Sequence, residues 1–183
     1  MRRWMLVAAM CALLPAVAPV EAQRPISVGL AGGVSIPEGD LRDGANTGWH
    51  AQGSLALGTL MQPLGLRVDG AYHRFAYSDA ARLALGADGS ESVASATLNF
   101  TYRLPTPGSP MSPYLISGLG AYRSECSDGA GCDATTRYGW NVGLGTKLYA
   151  LGFRSFLEAR YHRTEGRAGA DVHFFPVTLG LMF

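Results

Sequence analysis

The chain has 183 residues, including 24 glycines, and its 15 Lys and Arg against 14 Asp and Glu give a formal net charge of +1. A near-neutral chain of this length argues against a nucleic-acid partner and fits a single domain. Many glycines with scattered Tyr, Phe and Trp favour sheets and turns over helices.

Residues 1–22 have the order of a secretory signal peptide. Arg2 and Arg3 precede an apolar stretch, and small residues near Ala22 form a cleavage site. The apolar run is shorter than the ~20 residues of a spanning helix, which disfavours an uncleaved anchor. We expect cleavage after Ala22 and a mature domain over 23–183.

After the signal, apolar and polar residues alternate in eight segments bounded by turn residues. Period-2 alternation is typical of a strand whose two faces meet different environments. The predicted strands cover about 26–36, 48–58, 64–76, 92–104, 113–123, 137–149, 153–163 and the terminal stretch up to Phe183. Segments of about ten residues match the length that a tilted strand needs to cross a bilayer.

The fifth segment does not assign its faces clearly. Here Tyr114, Ile116 and Tyr122 compete for the apolar face with Leu115, Leu119 and Ala121. Aromatic residues near strand ends are expected to form girdles at the membrane surfaces. The predicted girdle residues are Trp49, Tyr72, Tyr102, Tyr114, Tyr138, Trp140 and Tyr161.

The connections alternate between short or Pro/Gly-rich turns and mostly longer polar loops. The turns are 60–63, 105–112 and 151–152, and the loops are 37–47, 77–91, 124–136 and 164–170. In outer-membrane barrels the short turns face the periplasm and the long loops face outward. With an even number of strands, we expect both termini on the periplasmic side.

Together these features resemble the small eight-stranded OmpA/OmpX-type family of outer-membrane proteins. The resemblance covers about 26–183 and rests on the signal peptide, residues 113–122 (PYLISGLGAY) and the aromatic terminus Phe183. It implies an all-β, eight-stranded antiparallel up-and-down transmembrane β-barrel in a bacterial outer membrane. It also implies that the barrel assembly machinery reads Phe183 as a signal. Independently of the family, a bilayer requires a closed barrel, because every backbone group needs an internal hydrogen bond.

Charged residues on the inner faces predict a paired network inside the barrel, because such charges cannot face lipid cheaply. Its predicted members are Arg67, Asp69, Lys147, Glu158 and Arg160. Eight strands leave room only for side chains, which favours a plug over a proton or ion path.

Two cysteines, Cys126 and Cys132, are separated by five residues in the third long loop. In an exported chain, two close cysteines favour a disulfide. We therefore expect these two residues to be bonded to each other.

Four arginines flank the long loops at strand ends. In the predicted topology they lie at one height, where phosphates of lipopolysaccharide would sit, and guanidinium groups match phosphate geometry. The alternative is that they extend to water or pair with acidic loop residues. The four are Arg74, Arg123, Arg137 and Arg163.

Patterns for catalysis and metal binding are weak. Residues 162–165 (HRTE) differ from the His-x-Ser arrangement of lipid A deacylases, because Thr164 stands where the serine is needed. The acidic loops lack the spacing of a dedicated Ca²⁺ site. The four histidines fall on four different strands: His50, His73, His162 and His173.

We therefore expect a non-catalytic outer-membrane protein with a structural or surface-interaction role, in membrane integrity or adhesion. The alternatives are a narrow channel for ions or small solutes, a lipid A-modifying enzyme and a secreted soluble ligand-binding barrel. The expected partners are outer-membrane lipids, including lipopolysaccharide, and the assembly machinery. A monomer without cofactor, metal or nucleic acid is expected, and the sequence does not indicate the ligand of the loops.

Overall fold

The computed structural model describes residues 26–61, 63–86, 88–109, 111–127, 134–150, 153–165 and 171–183. The predicted signal peptide (1–22) and Cys132 lie outside these residues. Within the described ranges, no helix has the length and apolar character needed to span a membrane.

Eight antiparallel strands form one closed sheet. Each strand pairs with the next along the chain, and the first also pairs with the last. Paired backbone hydrogen bonds between Val28 and Phe183 (3.1 and 2.8 Å) extend this seam to the last residue. The prediction of an eight-stranded up-and-down barrel is confirmed. The strands are β1 (Ile26–Glu38), β2 (Gly48–Met61), β3 (Leu64–Ala76), β4 (Ser90–Arg103), β5 (Met111–Cys126), β6 (Thr135–Ala150), β7 (Phe153–Glu165) and β8 (Asp171–Met182).

The alternation in the sequence separates the outer surface from the lumen. In β8, Leu179 and Leu181 are exposed on the outside, whereas Phe174 and Thr178 are buried inside. The same pattern gives the whole barrel an exterior of Leu, Val and aromatic side chains around a largely polar interior. An apolar exterior of this extent is suited to lipid.

The structure resolves the ambiguous fifth strand. Tyr114, Ile116 and Tyr122 point into the lumen and are at most 3% exposed, whereas Leu115 and Leu119 are 50% and 71% exposed. The prediction that Tyr114 belongs to an interfacial girdle is therefore wrong. Its hydroxyl instead donates a hydrogen bond inside the barrel, to Glu158 (2.6 Å).

The two ends of the barrel differ in their connections. We call the end with the β1–β2, β3–β4, β5–β6 and β7–β8 connections the loop end, and the opposite end the turn end. Among the described residues, the loop end carries two short helices that the sequence analysis treated as loops, α1 (Asp40–Gly44) and α2 (Asp79–Leu85). Ser78 caps α2 by accepting from the Ala81 N–H (3.2 Å). Its hydroxyl also reaches the Asp43 carbonyl (3.2 Å), which joins the two connections.

Candidate functional site in the lumen and at the rim

Four ion-paired side chains cross the lumen between its two ends. Arg67 on β3 donates from Nη2 to both carboxylate oxygens of Glu158 on β7 (2.8 and 2.9 Å), and from Nε to Asp69 (3.0 Å). Arg160 pairs with Asp69 (2.9 Å) and with Glu158. We call these four residues the ion belt. All four are buried, and two guanidinium groups balance two carboxylates.

Neutral side chains complete the hydrogen bonding of the ion belt. Tyr114 donates to Glu158, Asn99 donates to Asp69 (2.8 Å), and Arg160 donates to Gln52 (3.1 Å). Such additional bonds are what make a buried ion pair tolerable, because they offset the loss of hydration. The belt is therefore a side-chain plug bonded across the lumen.

Lys147, the fifth predicted member of the charge network, lies apart from the ion belt. Its Nζ is 6.0 Å from the centre of the Tyr114 ring, and it forms no salt bridge with a described residue. It instead lines a cavity of about 190 Å³ at the turn end, together with Arg103 and Arg154. Lys147 therefore lies on an inner face but is not part of the paired network that the sequence predicts, because alternation assigns a face and does not encode the distance to the carboxylates.

Three histidines that are far apart in the sequence meet in the loop-end half of the lumen. His50 and His73 are directly opposite each other on β2 and β3. The Ser35 hydroxyl lies between them, 3.0 and 2.8 Å from their Nδ1 atoms. His162 is held across the lumen by the hydroxyl of Tyr122 (2.9 Å). We call His50, His73 and His162 the histidine cluster.

A hydrophobic cluster closes the loop end above these histidines. Phe75, Tyr122 and Phe174 are fully buried, and Leu41 from α1 packs against them with Ala45. The ring centres of Phe75 and Phe174 are 5.9 Å apart, in an edge-to-face arrangement. A helix of the first connection therefore caps the lumen with an apolar side chain.

Ser35 and its histidines form the hydroxyl–imidazole contact that the sequence analysis did not find. Ser35 is fully buried, and the second nitrogen of His50 bonds to the Thr178 hydroxyl (2.9 Å) rather than to a carboxylate. His73 Nε2 has no hydrogen-bond partner among the residues that the structure describes. In the part of the chain that the structure describes, no group of three or more potential ligands is arranged to hold a metal ion. A buried hydroxyl without a carboxylate-oriented base lacks the features of an activated nucleophile.

The four arginines that flank the long loops, Arg74, Arg123, Arg137 and Arg163, are exposed, and we call them the rim arginines. Arg137 lies directly opposite Tyr122, whose side chain points into the lumen, whereas the other three are at outward-facing positions of their strands. Arg123 pairs with Glu125 (2.6 Å), and Arg163 donates to Asp171 from Nε and Nη2 (3.0 and 2.5 Å). Arg74 donates to the Ser90 hydroxyl (3.2 Å). Contacts with acidic residues, one of the two predicted possibilities, are thus present at Arg123 and Arg163.

An open groove of about 580 Å³ lies beside Arg74 on the outside of the loop end. Trp49, Ser90 and Ser127 contribute to its lining. It therefore combines a guanidinium group, hydroxyls and an indole in one concave surface, which Asp88 also lines with a carboxylate.

Two predicted residues lie at opposite ends of the barrel. Cys126, at the end of β5, is disulfide-bonded, and its predicted partner Cys132 lies outside the described residues. Their pairing stays a prediction, which a linked peptide in a non-reduced digest would establish. Phe183 is exposed at the turn end, where its role as an assembly signal also stays a prediction.

A closed sheet with an apolar exterior and a plugged polar lumen defines a transmembrane β-barrel. The chain belongs to the family described as outer membrane protein beta-barrel domain, whose model matches residues 5–183. Membership of this family indicates a bacterial outer-membrane protein, and not a secreted soluble barrel, which was the last of the three alternatives. A search of curated proteins found no match.

Solved structures that are similar to this chain include several outer-membrane proteins. Neisserial surface protein A is 19% identical, with 87% of this chain and 96% of that chain covered and a TM-score of 0.64. The N-terminal β-barrel domain of OprF from Pseudomonas aeruginosa is 16% identical over 86% and 97%, with a TM-score of 0.49. Ail, the attachment invasion locus protein of Yersinia pestis, is 16% identical over 86% and 96%, with a TM-score of 0.47. At these identities the similarity concerns the fold alone.

Proposed function

We propose that this outer-membrane barrel is non-catalytic and acts through its loop-end surface, where it contacts outer-leaflet lipids and other surfaces. The observation that carries the proposal is the closed lumen. The ion belt fills its middle, and Leu41 and Phe174 close its loop end. Because the lumen is closed, we expect the protein to contact other molecules through its outer surface.

The proposed orientation puts the loop end outside the cell and the turn end in the periplasm. The difference in length between the two sets of connections supports it, because outer-membrane barrels have short periplasmic turns. The two helices α1 and α2 then lie outside the cell. The same orientation places the rim arginines at the level of the outer-leaflet headgroups.

The lipid contact is proposed to centre on Arg74. This arginine forms no salt bridge with a described residue, and it borders the groove that also contains the hydroxyls of Ser90 and Ser127. A guanidinium group can bond a phosphate twice, and hydroxyls add further donors. At Arg123 and Arg163 a phosphate must first displace Glu125 or Asp171. The four rim arginines are therefore expected to contribute unequally.

Co-purification of lipopolysaccharide tests the lipid contact. We expect Arg74→Gln to retain less lipopolysaccharide than Arg163→Gln, and the quadruple change at Arg74, Arg123, Arg137 and Arg163 to retain least. Arg42→Gln is the matched control, because Arg42 is an exposed cation on α1 away from the groove. Heat-dependent mobility in detergent gels checks that each variant is folded. Wild-type retention by the quadruple variant would refute the lipid contact.

A second proposed contact is adhesion through the platform formed by α1 and α2. The Asn46 N–H donates to the Ala76 carbonyl (2.8 Å) and the Ser78 N–H donates to the Gly44 carbonyl (3.0 Å), so the two connections are held together. An ordered surface of this kind loses less entropy on binding than a free loop does. The platform and its flank present Asp40, Asp43, Asp79 and Asp88, which favours a basic partner surface.

Adherence of cells that display the protein tests this second contact. Changing the four platform aspartates to asparagine should reduce retention on a surface coated with a basic protein. The quadruple rim-arginine variant is the control, because it leaves the platform acidic. Equal retention of cells carrying the wild type and the aspartate variant would refute adhesion through the platform.

Two observations weigh against the remaining alternatives. A channel needs a continuous polar path, and the apolar side chains of Leu41, Phe75 and Phe174 lie across the loop-end half of the lumen. A lipid-modifying enzyme needs a nucleophile that lipid can reach, and Ser35 is fully enclosed. Unchanged lipid A in cells that produce the protein is the corresponding expectation, checked by mass spectrometry.

A further inference from the structure

The turn-end cavity is lined by basic side chains. Arg103, Lys147 and Arg154 surround a space of about 190 Å³, and none of its described lining residues is acidic. We propose that this cavity is a binding site for a phosphate-bearing anion. The site is at the opposite end of the barrel from the surface assigned to lipid contact and adhesion, and it does not depend on that assignment.

The positive charge of the cavity is not neutralised within the described protein. The guanidinium of Arg67, which forms part of the inner wall, is balanced by Glu158 and Asp69 in the ion belt. By contrast, Arg103, Lys147 and Arg154 form no salt bridge with a described residue. A cleft lined by charges of one sign concentrates counter-ions of the opposite sign. Three cations without a salt bridge to any described residue therefore favour a polyvalent anion over a monovalent one.

The donors in the cavity match the chemistry of phosphate. Guanidinium groups can donate two parallel hydrogen bonds to it, and an ammonium group adds a compact charge. Four hydroxyls, those of Ser27, Thr101, Ser112 and Ser155, also line the cavity. Hydroxyls and cations together can bond several oxygens of one phosphate or diphosphate group. The volume suffices for such a group, since a water molecule occupies about 30 Å³ in the liquid.

The cavity is a cup and not part of a path through the barrel. Its inner wall contains Arg67, Phe156 and Tyr114, and the Arg67 guanidinium lies 5.6 Å from the centre of the Phe156 ring. The remainder of the ion belt lies beyond this wall. A bound anion would therefore enter and leave by the turn end.

A phosphate-bearing anion can reach the turn end from two sources. One is a soluble phosphate or diphosphate compound in the aqueous compartment at that end. The other is the headgroup of an anionic phospholipid in the adjacent leaflet, which the exposed Arg154 can contact. Both sources supply the same chemical group, and two probes separate them.

Calorimetric titration of the folded protein in an uncharged detergent tests the site. The soluble probe is inorganic pyrophosphate, the lipid probe is short-chain phosphatidylglycerol, and short-chain phosphatidylcholine is the zwitterionic control. We expect saturable binding of at least one anionic probe that weakens as the salt concentration rises. Lys147→Gln and Arg103→Gln should each weaken it about tenfold or more, because each removes a charged hydrogen-bond donor.

The matched control removes charge at the other end of the barrel. The double variant Arg42→Gln and Arg82→Gln changes two exposed cations on α1 and α2 and leaves the rim arginines in place. It should bind the probe within about twofold of the wild type, since screening limits long-range effects. Lys147→Arg, which keeps the charge, should retain binding. Saturation by pyrophosphate alone assigns a soluble ligand, and saturation by phosphatidylglycerol alone assigns a lipid headgroup. The proposal is overturned if neither probe saturates, or if the double variant Arg42→Gln and Arg82→Gln weakens binding as much as Lys147→Gln does.

Discussion

The two halves of the lumen are enclosed by the same eight strands and filled in different ways. The loop-end half is packed with the rings of Phe75, Tyr122 and Phe174 and is capped by Leu41. The turn-end half contains a cavity lined by Arg103, Lys147 and Arg154, which form no salt bridge within the described part of the chain. The side chains at inner positions, and not the number of strands alone, therefore decide whether the lumen of a small barrel is filled.

Removing a carboxylate from the ion belt, which separates the two halves of the lumen, should cause the largest loss of unfolding free energy among the changes considered. Glu158 accepts from Arg67, Arg160 and Tyr114, so Glu158→Leu leaves two buried guanidinium groups poorly compensated. Losing one partner of a buried ion pair costs about 3–5 kcal/mol of unfolding free energy. Urea unfolding in lipid vesicles, followed by tryptophan fluorescence, measures the loss.

Glu158→Gln is the control for this substitution, because it keeps the side-chain shape and an acceptor for the tyrosine. It should cost less than Glu158→Leu does. If Glu158→Leu had the same unfolding free energy as the wild type, the ion belt would not hold the two halves apart.

Adding a methyl group beside the ion belt tests how tightly the lumen wall is packed. A Cβ at Gly145 would lie 2.5 Å from Cζ of Tyr114 and 2.9 Å from the Leu157 carbonyl oxygen, whereas a Cβ at Gly70 would meet nothing within 4 Å. Overpacking of this kind typically costs about 1–3 kcal/mol. Gly145→Ala should therefore lower the unfolding free energy and Gly70→Ala should not. Equal effects of the two changes would mean that the inner wall can relax freely.

A pair of serines on β1 compares the two halves directly. Ser35 bonds to His50 and His73 in the packed half, whereas Ser27 lines the cavity. Ser35→Ala should cost about 1 kcal/mol, because buried imidazole nitrogens lose their partner, and Ser27→Ala should cost less. The same urea titration distinguishes them. A larger loss for Ser27→Ala would reverse the assignment of the packed and open halves.

The sequence was sufficient to predict the strands because lipid and lumen impose opposite demands on alternate residues. The Leu179 and Leu181 positions of β8 could be assigned from the alternation alone. The faces of β5 could not, because Tyr114 and Ile116 are as compatible with lipid as with a packed lumen. What decides the face of Tyr114 is Glu158, a hydrogen-bond partner 44 positions away on β7.

The same limit explains the missed histidine cluster. His50, His73 and His162 appear scattered in the sequence, and the register of the barrel brings them together. The helix α2 did leave a local signal, since Ser78 precedes it and Gly86 ends it with a positive φ of 66°. Its contact with α1 depends on two connections meeting, which no single segment of sequence encodes.

Single-channel recording of the purified protein in planar bilayers tests the central claim, that the lumen is sealed, most directly. With the ion belt in its middle and Leu41, Phe75 and Phe174 packed at the loop end, the protein should show little or no stable conductance. Large, long-lived and reproducible openings of the folded wild-type protein would contradict the account and restore the channel alternative.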